Sequence, residues 1–256
     1  MLKTVRRGAI ALIGLFSGAA LAAQAPSPQA PPALPDARDV IERHIDAIGG
    51  RDVLMAHSSR HVTGTLAMPS AGLTGSFELL EAKPNKAVMR MSLAGVGELS
   101  EGFNGAVGWS LSPVTGPSLL DGKLLEEKKL DADFYGDLQP EKRYVSMKTV
   151  DRVEFEGRPC YKVQLVRRDG GEDVQFFDVT TGLRAGSLVT RETPLGSLSA
   201  SIVESEYRRF GKVLYPTKVT NTSMSVSQVL TVVNVQFDNV DPSEFEPPAA
   251  IKALIK

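Results

Sequence analysis

Apolar residues first recur at helical spacing. Val40, Ile41, Ile45 and Ile48 follow Asp36, a residue suited to capping a helix start, and the run closes on Gly49 and Gly50. This predicts one amphipathic helix. Val53, Leu54 and Ala56 restart the pattern at once and predict a second, short helix. From residue 60 the period changes to two. Val62, Leu66 and Met68 alternate with polar residues, as do Leu73, Phe77 and Leu79, and then Met89, Met91 and Leu93. Pro69, Gly72, the stretch Lys83-Pro84-Asn85 and Gly95 separate these runs, so they read as consecutive half-buried antiparallel strands. Two further strands carry Leu99 and Phe103, then Val107, Trp109 and Leu111.

Four glycines at 102, 105, 108 and 116 surround the single tryptophan and raise the question of a phosphate cradle. Such a cradle joins a strand to a helix, and its P-loop form adds Lys-Ser or Lys-Thr. Here alternation continues on both sides, and Asn104-Gly105 is a strong signal for a type I′ hairpin turn. The glycines serve a sheet. Residues 121–138 interrupt it: Leu124, Leu125, Leu130 and Phe134 with Glu126, Glu127, Lys128 and Lys129 between them predict an amphipathic helix with a solvated charged face. Seven strand-like segments then run from about residue 147 to 240, each ending near Gly, Asn, Asp or Pro.

The sum is a mainly β, α+β chain of about eleven strands and about three helical pieces. A sheet of that size curls to limit its exposed edges, so the expected architecture is an open half-barrel with helices over its concave face.

Composition places this domain in a compartment. Lys3, Arg6 and Arg7 precede an apolar run from Gly8 to Ala20, and small residues follow at 20–23. Residues 1–23 therefore read as a secretory signal peptide, too short in its apolar part to span a membrane. Residues 24–35, rich in Ala and Pro, read as an extended tether, leaving 36–256 as a single domain. The expected location is the periplasm, as an exported soluble protein. Without the three signal cations, 26 of the 29 basic residues face 30 acidic ones, which gives no footprint for nucleic acid. Cys160 is the only cysteine. It can form no disulfide within the chain and reads as a small buried hydrophobe.

Catalytic chemistry is sparse. The three histidines are His44, His57 and His61, and no G-x-S-x-G, H-E-x-x-H or cysteine pair occurs. His57 and His61 stand four apart, which on a helix would join them in a metal-dependent hydrolase site; the strand pattern from 61 argues against a shared helix. Asp131 and Asp133 offer a hard-cation pair or a solvated one. The expectation is no enzyme, no cofactor and no metal. What the chain does offer is one strand face rich in aliphatic and sulfur-bearing residues: Leu66, Met68, Phe77, Leu79, Met89, Met91, Leu93, Phe103 and Trp109. Methionine adapts to irregular apolar ligands. These residues either line a ligand cavity or form the core beneath the helices.

Several phrases carry a family resemblance: "EGFNGAVGWSLSP", "DADFYGDL", "FEGRPCYKVQL", "FFDVTTGL" and "EYRRFGKVLYPTKVT". From about residue 36 to 246 the chain resembles the outer-membrane lipoprotein-sorting group, which comprises LolA-, LolB- and RseB-like proteins. The resemblance implies an unclosed barrel of about eleven strands, helices plugging its mouth and an apolar concavity that takes acyl chains. It implies a non-catalytic transport or sensing role with a hydrophobic small molecule or lipoprotein acyl chain as ligand, and a periplasmic or outer-membrane protein as a further partner. The carrier's interior arginine and proline-bearing loop find no residue-by-residue match here, and neither is carried over. A protein-interaction module with a filled core is the alternative.

Overall fold

The computed structural model describes residues 33–193 and 196–255. The predicted signal peptide, and the tether up to residue 32, lie outside the described residues. Helix α1 spans Ala37–Ile48 and α2 spans Arg51–Ala56. The capping expectation holds: Asp36 Oδ1 accepts the N–H of Arg38 at 2.8 Å, and the N–H groups of Gly49 and Gly50 return to carbonyls of the last turn.

Six strands follow: β1 Ser59–Met68, β2 Leu73–Ala82, β3 Lys86–Leu93, β4 Gly97–Phe103, β5 Gly108–Ser112 and β6 Gly116–Leu119. Helix α3, Gly122–Asp131, and two 3-10 turns precede seven more: β7 Tyr144–Phe155, β8 Arg158–Arg167, β9 Glu172–Asp178, β10 Arg184–Thr193, β11 Gly196–Phe210, β12 Val213–Ser223 and β13 Val226–Phe237. A last 3-10 turn at Pro242–Phe245 and helix α4, Ala249–Lys252, end the described chain.

All thirteen strands form one antiparallel sheet in the order β6-β5-β4-β3-β2-β1-β13-β12-β11-β10-β9-β8-β7. Among the described residues nothing pairs β6 with β7, so the barrel stays open. The expected eleven strands become thirteen chiefly because β6, four residues reading Gly-Pro-Ser-Leu, has neither the length nor the alternation that marks a strand.

Curling follows from two contacts. Seven inter-strand steps separate β4 from β10, roughly 34 Å if the sheet were flat. Yet on α3, about 15 Å long, Lys128 pairs with Glu101 of β4 while the neighbouring Glu127 accepts the N–H of Glu192 of β10 at 2.9 Å. Similarly, the Gln228 amide of β13 reaches the Met91 sulfur of β3 at 3.7 Å, three strands away. Only a strongly rolled sheet brings these groups together.

Helix α1 packs Val40, Ile41 and Ile45 onto Val163, Leu165 and Phe177 inside the roll. The C-terminal segment instead lays Phe245 and Ile251 on the outside, over Leu80, Val88 and Trp109. Two helical expectations change accordingly. Helix α3 ends at Asp131, short of Phe134, and none of its residues is buried: it is a strap held by charged side chains, not an apolar plug. Helix α4 covers the convex face.

At the glycine-rich hairpin Gly105 serves the turn as expected, with φ +98°, but Asn104 is not in the left-handed region. The turn therefore is not type I′. The Asn104 Oδ1 accepts both the Ala106 and Val107 N–H groups, a side-chain substitute for backbone bonding.

Candidate functional site

Register decides which side chains share the inner face. Leu79 stands opposite Val62 and Met89, Phe77 opposite Gly64 and Met91, and Leu66 opposite Leu230. Leu66, Met68, Phe77, Leu79, Met89, Met91 and Leu93 thus come together in one apolar cluster, completed by Val62, Val232 and Val235. Leu66 and Phe77 are buried, whereas the three methionines, Leu79 and Leu93 are half-buried. Gly64 makes this packing possible, since a Cβ there would meet the Phe77 ring at 2.6 Å and the Thr231 carbonyl at 2.2 Å.

Phe103 shares the inner face through its pairing with Ala87 but is fully buried and outside the cluster. Trp109 does not share it. Its partners Gly102 and Leu119 lie on the outer face, where it is wholly buried against Phe245 and Ile251. Counting apolar positions along separate strands cannot reveal this, because the relative phase of β3 and β5 is set by the turns between them.

The other half of the apolar face comes from Leu230, Val232, Val235 and Phe237 on β13 with Phe210 and Tyr215. The apolar run in "VSQVLTVVNVQF" marks β13 as a strand, with Val232 and Val235 buried and Val233 exposed; its adjacency to β1 is a matter of topology alone.

A band of paired charges borders the apolar face. The Arg60 Nε and Nη2 donate to Glu81 Oε2 at 2.6 and 2.5 Å, and the Arg60 guanidinium sits 5.3 Å from the centre of the Tyr215 ring. Arg184 donates to Glu204 Oε1 at 2.9 Å, and the Tyr207 hydroxyl lies 2.7 Å from Glu204 Oε2. Burial alone would lower the pKa of both arginines, but the facing carboxylates outweigh it and the net shift is upward. Burial, then Glu204, pushes the Tyr207 phenol up. These groups remain charged, charged and neutral at any ordinary pH, so they serve as fixed polar structure rather than as acid–base machinery.

A cavity of about 210 Å³ lies between α1, α2, the segment 130–144 and this band, with His44, His57, Arg60 and Arg184 in its wall. A larger cleft of about 890 Å³ opens between α3 and the ends of β8–β11, lined by Lys123, Arg167, Glu127 and Glu192 among others. The second has the size of a small-molecule site. Neither wall includes any of the nine predicted residues.

His57 and His61 do not form a pair. The His57 ring stacks on Phe237 at 4.2 Å and bonds Asp238 Oδ2 at 2.6 Å, whereas His61, on the outer face of β1, meets Glu78 at 2.7 Å. Asp131 and Asp133 bond Arg143 and Lys142. Among the described residues no group of three His, Cys, Asp or Glu is placed to hold a metal ion. Cys160 is fully buried, and burial raises its thiol pKa.

No protein-family model and no curated protein matches the sequence. Solved structures do match the fold. A DUF1329 family protein from Desulfovibrio piger superposes with a TM-score of 0.56 at 12% identity, over 82% of this chain and 97% of its own. A LolA superfamily protein from Nitrosomonas europaea gives 0.55 at 13%, over 84% and 99%. A domain described as outer membrane lipoprotein-sorting, from Vibrio parahaemolyticus, gives 0.50 at 10%, over 81% and 94%. The chain has the LolA-like fold.

Proposed function

We propose that this protein is an exported, non-catalytic carrier or sensor that holds an acyl chain or another hydrophobic ligand on the inner face of its open sheet. One observation carries the reading: seven of the residues singled out from the sequence meet on one concave face, where three methionines stay half-buried. A face that served only as core would be covered. The helix α1 covers a different part of the roll, and the α3 strap buries none of its own residues. Each methylene of a ligand moved onto that face contributes about 0.8 kcal/mol, so part of one acyl chain suffices to offset a modest opening cost. The fold shared with a LolA superfamily protein and a lipoprotein-sorting domain agrees with this reading, and the leader-like N-terminus agrees with a periplasmic location.

Native mass spectrometry of protein exported and purified without detergent tests it, together with titration of a fluorescent acyl probe. Discrete lipid masses, and probe binding lost in Met91→Asp with the fold retained, are expected. A clean apo mass and no probe affinity would overturn it in favour of a protein-docking module.

A further inference from the structure

The cleft of about 890 Å³ beside α3 shares no residue with the apolar cluster of the inner face, and its walls are built of charge. Leu130 is the one large apolar side chain among the described residues that line it, so recognition there is polar. Most of its charges answer one another. Asp169 accepts from Arg167 at 3.1 Å and from the Gly171 N–H at 2.9 Å, Glu172 accepts the Gln164 amide at 2.9 Å, and Glu126 pairs with Lys129. Lys123 is mostly in solvent, 3.7 Å from Glu192.

The remaining groups are not answered. On α3, Glu127 uses Oε2 to accept the Glu192 N–H, while its Oε1 is shielded from water and has no hydrogen-bond partner. Just before β7, Arg143 gives Nη2 to Asp131, but its Nε–H is likewise shielded and unpartnered. The Arg143 carbonyl accepts the Arg168 N–H, which places the two arginines together. The Arg168 guanidinium bonds only the carbonyls of Glu141 and Lys142, and among the described residues no carboxylate answers its charge. Leaving an ionised group unpaired and shielded is unfavourable, so a spare carboxylate oxygen, a spare guanidinium donor and an unanswered positive charge in one cleft call for a partner. Their spacing follows from the helix. Asp131, which holds Arg143, stands one turn after Glu127, and side chains four apart on a helix are roughly 6 Å apart at Cβ. The spare acceptor and the spare donors are thus within reach of one small molecule.

We propose that this cleft is a binding site for a compact zwitterion, its ammonium received by Glu127 and its phosphate or carboxylate by Arg143 and Arg168. A lone anion would be repelled by Glu127 and leave it unanswered; a lone cation would do the same to the arginines. A ligand bearing both signs about one helical turn apart satisfies all of these groups at once. An ethanolamine phosphate head group and a short peptide share this chemistry. Leu130 and Arg143 line the smaller inner cavity as well as the cleft, so a head group seated here adjoins that cavity. The site stands independently of the acyl-chain reading, which concerns the inner face of β1–β3 and β13.

Isothermal titration of the mature chain with glycerophosphoethanolamine and with the dipeptide alanyl-alanine tests it, against dimethyl phosphate and ethanolamine, which carry one sign each. At least one zwitterion is expected to bind about tenfold more tightly than either single-charge probe, since a single-charge probe forgoes one charge-assisted hydrogen bond. Preference for the phosphodiester identifies a lipid head group and preference for the dipeptide identifies a peptide; both support the site. Glu127→Gln keeps an oxygen for the Glu192 N–H and removes the charge. It is expected to weaken the zwitterion about tenfold and to leave dimethyl phosphate unchanged or tighter, a pattern that a distorted cleft cannot give. Arg168→Gln is expected to weaken the zwitterion and dimethyl phosphate alike. No binding of either zwitterion, single-charge probes that bind as tightly, or wild-type affinities in Glu127→Gln overturns the proposal. Titration with the fluorescent acyl probe is expected to be the same in wild type and Glu127→Gln, so failure of the cleft and failure of the inner-face site are read separately.

Discussion

The Nδ1 of His44 accepts the backbone N–H of Arg184 at 3.1 Å, joining α1 to β10 across 140 residues of sequence. The ring, 8% exposed and 5.5 Å from that of Phe177, must be neutral to accept this bond. Burial, then the Arg184 charge, pull its pKa from 6.5 to about 4, with Asp137 opposing. A depressed histidine contributes stability that is complete above its unfolded pKa and lost as pH falls to its folded one. Stability is therefore expected to drop between pH 6.5 and 4 by at most about 3 kcal/mol. Denaturant titrations across that window check it, and His44→Gln, which cannot gain the charge, is expected to flatten the slope.

Trp109 and Phe77 lie on opposite faces of the sheet. The sole tryptophan consequently reports on the C-terminal segment and not on the inner face. Its emission is expected to stay blue-shifted and unquenched when a brominated acyl chain binds. Phe245→Ala is expected to shift it to the red and to cost about 3–5 kcal/mol, since Phe245 is buried against the indole. Quenching by the brominated ligand would contradict the assignment of faces.

The two placements show where sequence reading reaches its limit. Helix α1, its Asp36 cap and the seven strands after residue 143 are legible because each depends on neighbours a few residues away. The inner cluster is legible as far as β1 to β3, where tight hairpins fix the phase. Trp109 is misplaced because phase beyond the next turn is a tertiary matter. The contacts Arg60–Glu81 and Arg184–Glu204 leave no sequence signal either, since charged residues in strands are ordinarily exposed.

Gln228 and Met91 meet across the inner face at 3.7 Å, a weak amide–thioether contact that narrows the concavity. Thioether bonds contribute little, so Gln228→Ala is expected to leave stability within about 0.5 kcal/mol. The same change widens the space beside Met91 and removes a polar group from it. Acyl-probe affinity is expected to rise several-fold; an unchanged or lower affinity would place the ligand elsewhere, the cleft beside α3 being the first place to look.

Arg184 and Glu204 are 20% and 9% exposed, and each has partners of its own besides the other: Asp137 lies 3.6 Å from the arginine and Tyr207 bonds the carboxylate. Removing one charge strands the remaining one. Glu204→Ala is expected to destabilise the fold by about 3–5 kcal/mol, because Arg184 then stays largely desolvated and the Tyr207 hydroxyl loses one of its two acceptors. Replacing both, Arg184→Met with Glu204→Leu, removes the desolvation cost together with the attraction and is expected to recover most of that loss. The recovery is incomplete, since Tyr207 still keeps only the Arg184 carbonyl, 2.8 Å away. Double-mutant cycles in urea measure the difference. If the double variant is as unstable as Glu204→Ala, the ion pair is a net contributor to stability and the band between α1 and the apolar face holds the roll together; if it recovers, the band instead fixes the register of β10 against β11 without stabilising it.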